Sequence, residues 1–269
     1  MIAGNDTNYL LERHDTMNDF TTTAVEPAYQ GPGLSQVERV ICTFTAPSKT
    51  FTDIKRSTSW WLPFLITVAF AYLFFGAVTT KVTWPVVAEN NVKQSPKQAE
   101  NLDKLAPEQR ASQLKIIAIS TEVGFALTPV IALLGAAVVA GILFATINFG
   151  FGGKSTFWQV FAVTFYAGLP GIFKYLLGTI ALFVGLDPEN FKISNFAGTN
   201  VGYYLPPDTS KAVMAIATSL DIITIWSLVL TAIGLSIVAN TKRSSAYIAV
   251  FGWWIVVTVV SVGAAVAFS

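Results

Sequence analysis

From residue 60 onward the chain is built of long apolar runs separated by short polar stretches. Five runs stand out, at 60–80, 116–148, 157–186, 212–240 and 246–268. Each reaches the ~20 residues that a helix rising ~1.5 Å per residue needs to cross a ~30 Å hydrocarbon layer. Water is absent at that depth, so such runs must satisfy their own backbone groups as helices. The pattern predicts an all-α integral membrane protein, a five-transmembrane-helix bundle.

Before the first run the pattern changes twice. Residues 1–33 are polar, lack an apolar core and end in Gly31-Pro32-Gly33, which predicts a disordered cytoplasmic tail rather than a cleavable leader. In 34–56 an amphipathic juxtamembrane segment follows. Val37, Val40, Ile41 and Phe44 share one helical face, Pro47 interrupts, and Phe51 and Ile54 resume an apolar face. Glu38, Arg39, Lys49, Asp53 and Lys55 fall on the opposite faces. Two short amphipathic cytoplasmic helices are expected, either along the inner membrane surface or against the cytoplasmic helix ends. The remainder, 57–269, forms the five-span membrane domain.

Details within the runs refine this picture. Ser59 is placed to cap the first span, and Trp60 and Trp61 are expected to anchor it in the headgroup layer. Trp84 is a candidate marker of the opposite face. The second run exceeds one crossing, so its first turns should project from the membrane, with a kink at Pro129. Gly168, Pro170 and Gly171 break the third run in its middle, as a structural kink or as the lining of a site.

Composition narrows the function classes. Charged residues are only 12% and hydrophobic ones 53%, with a mean hydropathy of +0.56. A net charge of +1 gives no reason to expect nucleic acid. His14 is the one histidine and Cys42 the one cysteine, so no metal site, disulfide or cofactor is expected. Membrane lipids are the expected partners, and other membrane proteins or a homo-oligomer are left open. Lysines and arginines divide equally between the two sides. Lys55-Arg56 abuts the first span and Lys242-Arg243 fills a short loop, which favours a cytoplasmic N-terminus and an outer C-terminus.

Chemistry is sparse. Residues 150–156 imitate a phosphate loop, but Asn148 stands where its first glycine belongs and no strand precedes, so a tight turn is expected. The stronger feature is an intramembrane polar cluster of Glu122, Lys174 and Asp221. An ionised group costs at least ~2.5–3.5 kcal/mol there unless paired or hydrated. Helical rise puts Lys174, Asp221 and Glu122 about 18, 15 and 10 Å from one edge, so Lys174 and Asp221 can meet. An internal ion pair or a polar cavity for an ion, proton or small solute would account for them. No catalytic constellation is discernible.

Four stretches carry a resemblance. They are 44–54 followed by Trp60-Trp61-Leu62-Pro63-Phe64; Tyr166-Ala167-Gly168-Leu169-Pro170; 195–202; and 220–228 followed by Gly234. In their order and with five spans, they resemble the Yip family (Ypt-interacting proteins), more closely its bacterial branch. The resemblance implies a five-span bundle in the bacterial inner membrane with a cytoplasmic N-terminus, and supplies no catalytic residues. Eukaryotic relatives are linked to Rab-type GTPases and vesicle traffic, a role not carried over here. The expected function is a non-enzymatic membrane organiser or adaptor. The alternative is a small transporter or channel using Glu122, Lys174 and Asp221.

Overall fold

The computed structural model describes residues 33–206 and 209–267. The tail expected over 1–33 therefore lies outside the described residues, Gly33 excepted. Helices α1 (Gln36–Thr45) and α2 (Pro47–Ile54) precede α3 (Trp61–Lys81). Then come α4 (Trp84–Lys93), α5 (Pro96–Asp103), α6 (Pro107–Ala126) and α7 (Thr128–Ala145), the last extended by a π turn at Thr146–Gly150. Helices α8 (Phe157–Gly168) and α9 (Ile172–Val184) are joined through a 3₁₀ turn at Leu169–Gly171, and α10 (Lys211–Ser219), α11 (Ile222–Ala239) and α12 (Arg243–Ala267) complete the chain. Five helices are long and apolar enough to cross a membrane: Trp61–Lys81, Thr128–Gly150, Phe157–Val184, Ile222–Ala239 and Arg243–Ala267.

The second and fourth runs are each broken into two helices. At Leu127 the second run divides because Pro129 cannot donate to the Phe125 carbonyl, and the Thr128 hydroxyl takes that acceptor instead at 2.6 Å. The crossing starts only at Thr128. Glu122 sits on α6, before the helix long and apolar enough to cross. The fourth run breaks at Leu220-Asp221, where Asp221 caps α11 by accepting from Thr224 N–H at 2.8 Å. The third run behaves differently. Its Gly168–Gly171 break costs one turn of 3₁₀ geometry and the span continues.

Two apolar clusters hold the bundle. One, with Phe51, Tyr166, Leu169 and Leu235 at its centre, joins α2, α8 and α11. The other gathers Phe74, Val78, Trp84 and Phe191 where α3 and α9 run side by side below α4. Trp84 is thus buried, donating to Thr79 Oγ1 at 3.1 Å, and is not a surface marker. Trp60 is partly buried, stacked on Phe165 and edge-on to Phe161, while Trp61 is half exposed. Trp60 itself occupies the cap position of α3, and no side chain, Ser59 included, supplies a capping bond.

The two juxtamembrane helices are present and pack against the bundle. Phe51 and Ile54 are completely buried against the bundle, α2 packing on α11. Helix α1 divides its apolar face: Val40 and Phe44 pack inward, while Val37 and Ile41 stay exposed. The reason is on the supposedly polar face. Arg39 and Asp53 are buried together, and turning them inward rotates Ile41 outward.

Candidate functional site

The break in the fourth run builds a polar centre. Asp221, released from helical geometry at the start of α11, has an extended backbone and pairs with Asn200 in an isolated antiparallel bridge. Its carboxylate receives three kinds of donor. Oδ1 accepts from Thr224 N–H at 2.8 Å and lies 3.0 Å from Lys174 Nζ, while Oδ2 accepts from the Thr199 hydroxyl at 2.5 Å. Lys174 also donates to Thr224 Oγ1 at 2.9 Å. A buried carboxylate and a partly buried ammonium satisfy one another and are hydrogen-bonded besides, the condition under which charge is tolerated away from water. Glu122 makes neither a hydrogen bond nor an ion pair with either residue, and the expected three-residue cluster is a pair.

The segment that delivers Thr199 is anchored by its own side chains. Phe196 stacks on Phe74 at 4.2 Å and on Tyr175 at 6.0 Å, filling the space beside Gly178. Gly178 must be small here: a Cβ would come within 2.5 Å of the Phe196 ring. Asn195 and Asn200 exchange amide hydrogen bonds in both directions, and Asn200 caps the 3₁₀ turn Val201–Tyr204. Gly202 then abuts Thr218 on α10. The loop is built into the bundle.

A cavity of about 700 Å³ opens onto this centre. Lys174, Thr199, Asp221 and Lys211 line its polar side, and Met214, Trp254 and Val257 from α10 and α12 line its apolar side. Near the pair in the chain, Phe173 and Trp226 belong to an aromatic trio that is only partly buried. Phe44, from α1, meets Phe173 and Trp226 edge-on at 5.9 and 5.7 Å, and those two stack at 6.0 Å.

On the α1 side of these rings lies a second polar centre, which the amphipathic reading of 34–56 missed. Arg39, wholly buried, is 2.5 Å from Asp53 through Nε and donates to the Ser57 carbonyl at 2.9 Å. Its own carbonyl accepts from Thr43 and Thr50, each at 2.8 Å. Arg56 approaches the other Asp53 oxygen at 2.8 Å. Burial pushes the Asp53 carboxyl up, but hydrogen bonds and charge from Arg56 and Arg39 outweigh it and hold Asp53 below the usual carboxylate range. The Tyr166 hydroxyl, 3.0 Å from Gln36 Oε1, ties α8 to the same corner. Nothing in the spacing of Arg39 and Asp53 marks them as partners, since a turn between two helices brings them together. Asp221 was more accessible: an Asp three residues before Thr224 is a capping pattern that would have placed the break.

The other expected features fall where simple chemistry puts them. Residues 150–156 form a turn in which Gly152 takes φ +68°, and the Asn148 side chain bonds to the Ser155 backbone at 2.9 and 3.0 Å. Among the described residues no group of three or more His, Cys, Asp or Glu could hold a metal ion.

Five apolar helices with internally satisfied charges define a polytopic integral membrane protein. The model of the Yip1 domain matches residues 41–264, and the chain belongs to that family. No curated protein and no solved structure matches it.

Proposed function

We propose that this Yip-family chain is a non-enzymatic membrane organiser that binds lipids or other membrane proteins, with its N-terminal helices on the cytoplasmic side of a bacterial inner membrane. The observation that carries the reading is that the buried charges are engaged by one another. Asp221 is held by Lys174, Thr224 and Thr199, and Asp53 by Arg39 and Arg56, so each acidic group is satisfied within its own centre. Charged groups serving conduction sit along a continuous polar path. Here the two centres are separate, each closed on its own basic partners. The α1–α2 pair, held by Arg39, is a rigid surface for a partner rather than a loose tether.

Transport is the competing reading, favoured by the cavity that reaches Lys174, whose side chain is 29% exposed. Reconstitution separates them. Purified protein in liposomes should add no ion conductance or proton flux over protein-free vesicles, and mild-detergent extracts should retain lipid or protein partners. A conductance or flux that Asp221→Asn abolishes would overturn the organiser reading.

A further inference from the structure

We propose that the cavity between α10, α12 and the 195–200 segment is a binding site for one anionic phospholipid, its headgroup at Lys174 and Lys211 and its chains along α12. The inference deepens the organiser reading by naming the ligand class, and rests on it for the choice of a lipid.

Charge decides the headgroup. Lys174 has three N–H donors, of which Asp221 and Thr224 occupy two. Lys211 uses one on the Gln94 carbonyl at 2.9 Å. Both lysines line the cavity with donor capacity left over. Asp221, the one carboxylate among the described residues of the lining, is engaged by Thr224, Lys174 and Thr199. Among the described charged groups, the unfilled hydrogen-bonding capacity facing the cavity is therefore cationic, and with the neutral hydroxyls beside it suits a phosphate-bearing anion.

Shape decides the rest of the molecule. The volume of about 700 Å³ lies within the ~300–1,000 Å³ of sites that enclose whole organic ligands. Its far wall is apolar, with Met214, Trp254, Val257 and Ala265. Val257 is 60% exposed as well as lining the cavity, so the wall opens onto an outer face that also carries the exposed Val256 and Val260 of α12. A free phosphate would leave that wall dewetted. A phospholipid covers it with hydrocarbon while its phosphate meets the lysines.

The test uses the full chain in mild detergent, with native mass spectrometry to count bound lipid. Dioleoyl phosphatidylglycerol, dioleoyl phosphatidylcholine and glycerol 3-phosphate are titrated separately and in competition. Phosphatidylglycerol should bind several-fold tighter than phosphatidylcholine. Lys211→Gln should remove roughly five-fold of that affinity, the worth of one lysine near an anionic surface. Ala265→Trp, filling the apolar side, should lower binding of both lipids. Lys211→Gln keeps an N–H donor for the Gln94 carbonyl, so its unfolding temperature should stay near the wild-type value even if that of Ala265→Trp does not. Equal affinity for the two lipids, or phosphatidylglycerol binding unmoved by Lys211→Gln, would overturn the proposal. Displacement of phosphatidylglycerol by equimolar glycerol 3-phosphate would overturn it too, as a site for free anions. Lipid failure with protein partners still captured leaves the organiser reading intact, whereas ion flux would sink that reading without touching the site.

Discussion

Gly234 and Phe51 are fitted to each other: a Cβ built on the glycine would stand 2.8 Å from the Phe51 ring. Phe51 packs against α11 at this point and is wholly buried, so the juxtamembrane pair α1–α2 is docked through a residue in the fourth span. Val163 of α8 closes the same space, 2.7 Å from that Cβ position.

The first prediction follows from that fit. Gly234→Leu should expel the Phe51 ring and destabilise the protein by about 1–3 kcal/mol, the usual range for overpacking. The 36–56 segment should become sensitive to protease in detergent while the spans stay protected. Gly234→Ala should do the same more mildly. Unchanged cleavage of this segment in Gly234→Leu would mean that α2 is not held by α11.

Lys174 and Asp221 are expected to behave as one electrostatic unit. Removing a single partner of a buried pair strands the other charge. Because Lys174 is 29% exposed to the cavity, the loss for Lys174→Met should fall below the ~3–5 kcal/mol of a fully dry pair. Asp221→Asn should be milder still, since asparagine caps a helix nearly as well as aspartate. The double variant should recover part of the summed loss in detergent unfolding. Strictly additive losses would uncouple the residues.

How much of this was legible beforehand depended on whether the information was local. The five apolar runs carry their own length and composition, and they became five spans. The kink at Pro129 and the break at Gly168–Gly171 follow from a missing N–H and from residues without side-chain preference. Lys174 and Asp221 were paired by helical rise alone. The Arg39–Asp53 pair was not legible, because charges on a short amphipathic helix read as its wet face until a tertiary partner is known. Thr199 and Asn200 escaped for a related reason. They sit in a loop whose inward turn depends on Phe196 finding Gly178 and Phe74. The cavity, made by α10, α12 and that loop, has no signature in any one of them.

Asp53 gives a pH prediction. Its folded carboxyl titrates below the unfolded value of 3.8, held there against burial by Arg56 and Arg39. A depressed carboxylate contributes its full stabilisation above the unfolded pKa and loses it as pH falls through 3.8 toward the folded value. The gap in unfolding temperature between wild type and Asp53→Asn should therefore be constant at neutral pH and narrow below about pH 4. A gap that does not change down to pH 3 would show that Asp53 acts by shape rather than by charge.

Phe196→Ala tests the inward loop. Truncating a stacked aromatic costs about 3–5 kcal/mol when its cavity cannot collapse. Here it also frees the segment that brings Thr199 to Asp221. The expected result is lowered stability with new protease cleavage between Asp187 and Lys211. Gly178→Val, which meets the same ring from the other side, should give the same pattern. Cleavage confined to other loops would detach Phe196 from the site.

Topology is the last prediction. Helices α1 and α2 pack beside the ends of α8 and α11, where Lys154 donates its N–H to the Ala239 carbonyl at 2.9 Å and Lys242 and Arg243 lead into α12. Short loops bearing lysine and arginine stay in the cytoplasm, so this end should face inward. Five crossings then carry the chain to the opposite side. A reporter fused before Met1 should be cytoplasmic and one fused after Ser269 should not. Reporters answering from the same side would require an even number of crossings. Inverted reporters would instead keep five spans and place the Lys174–Lys211 cavity on the cytoplasmic face, leaving the packing described above unchanged.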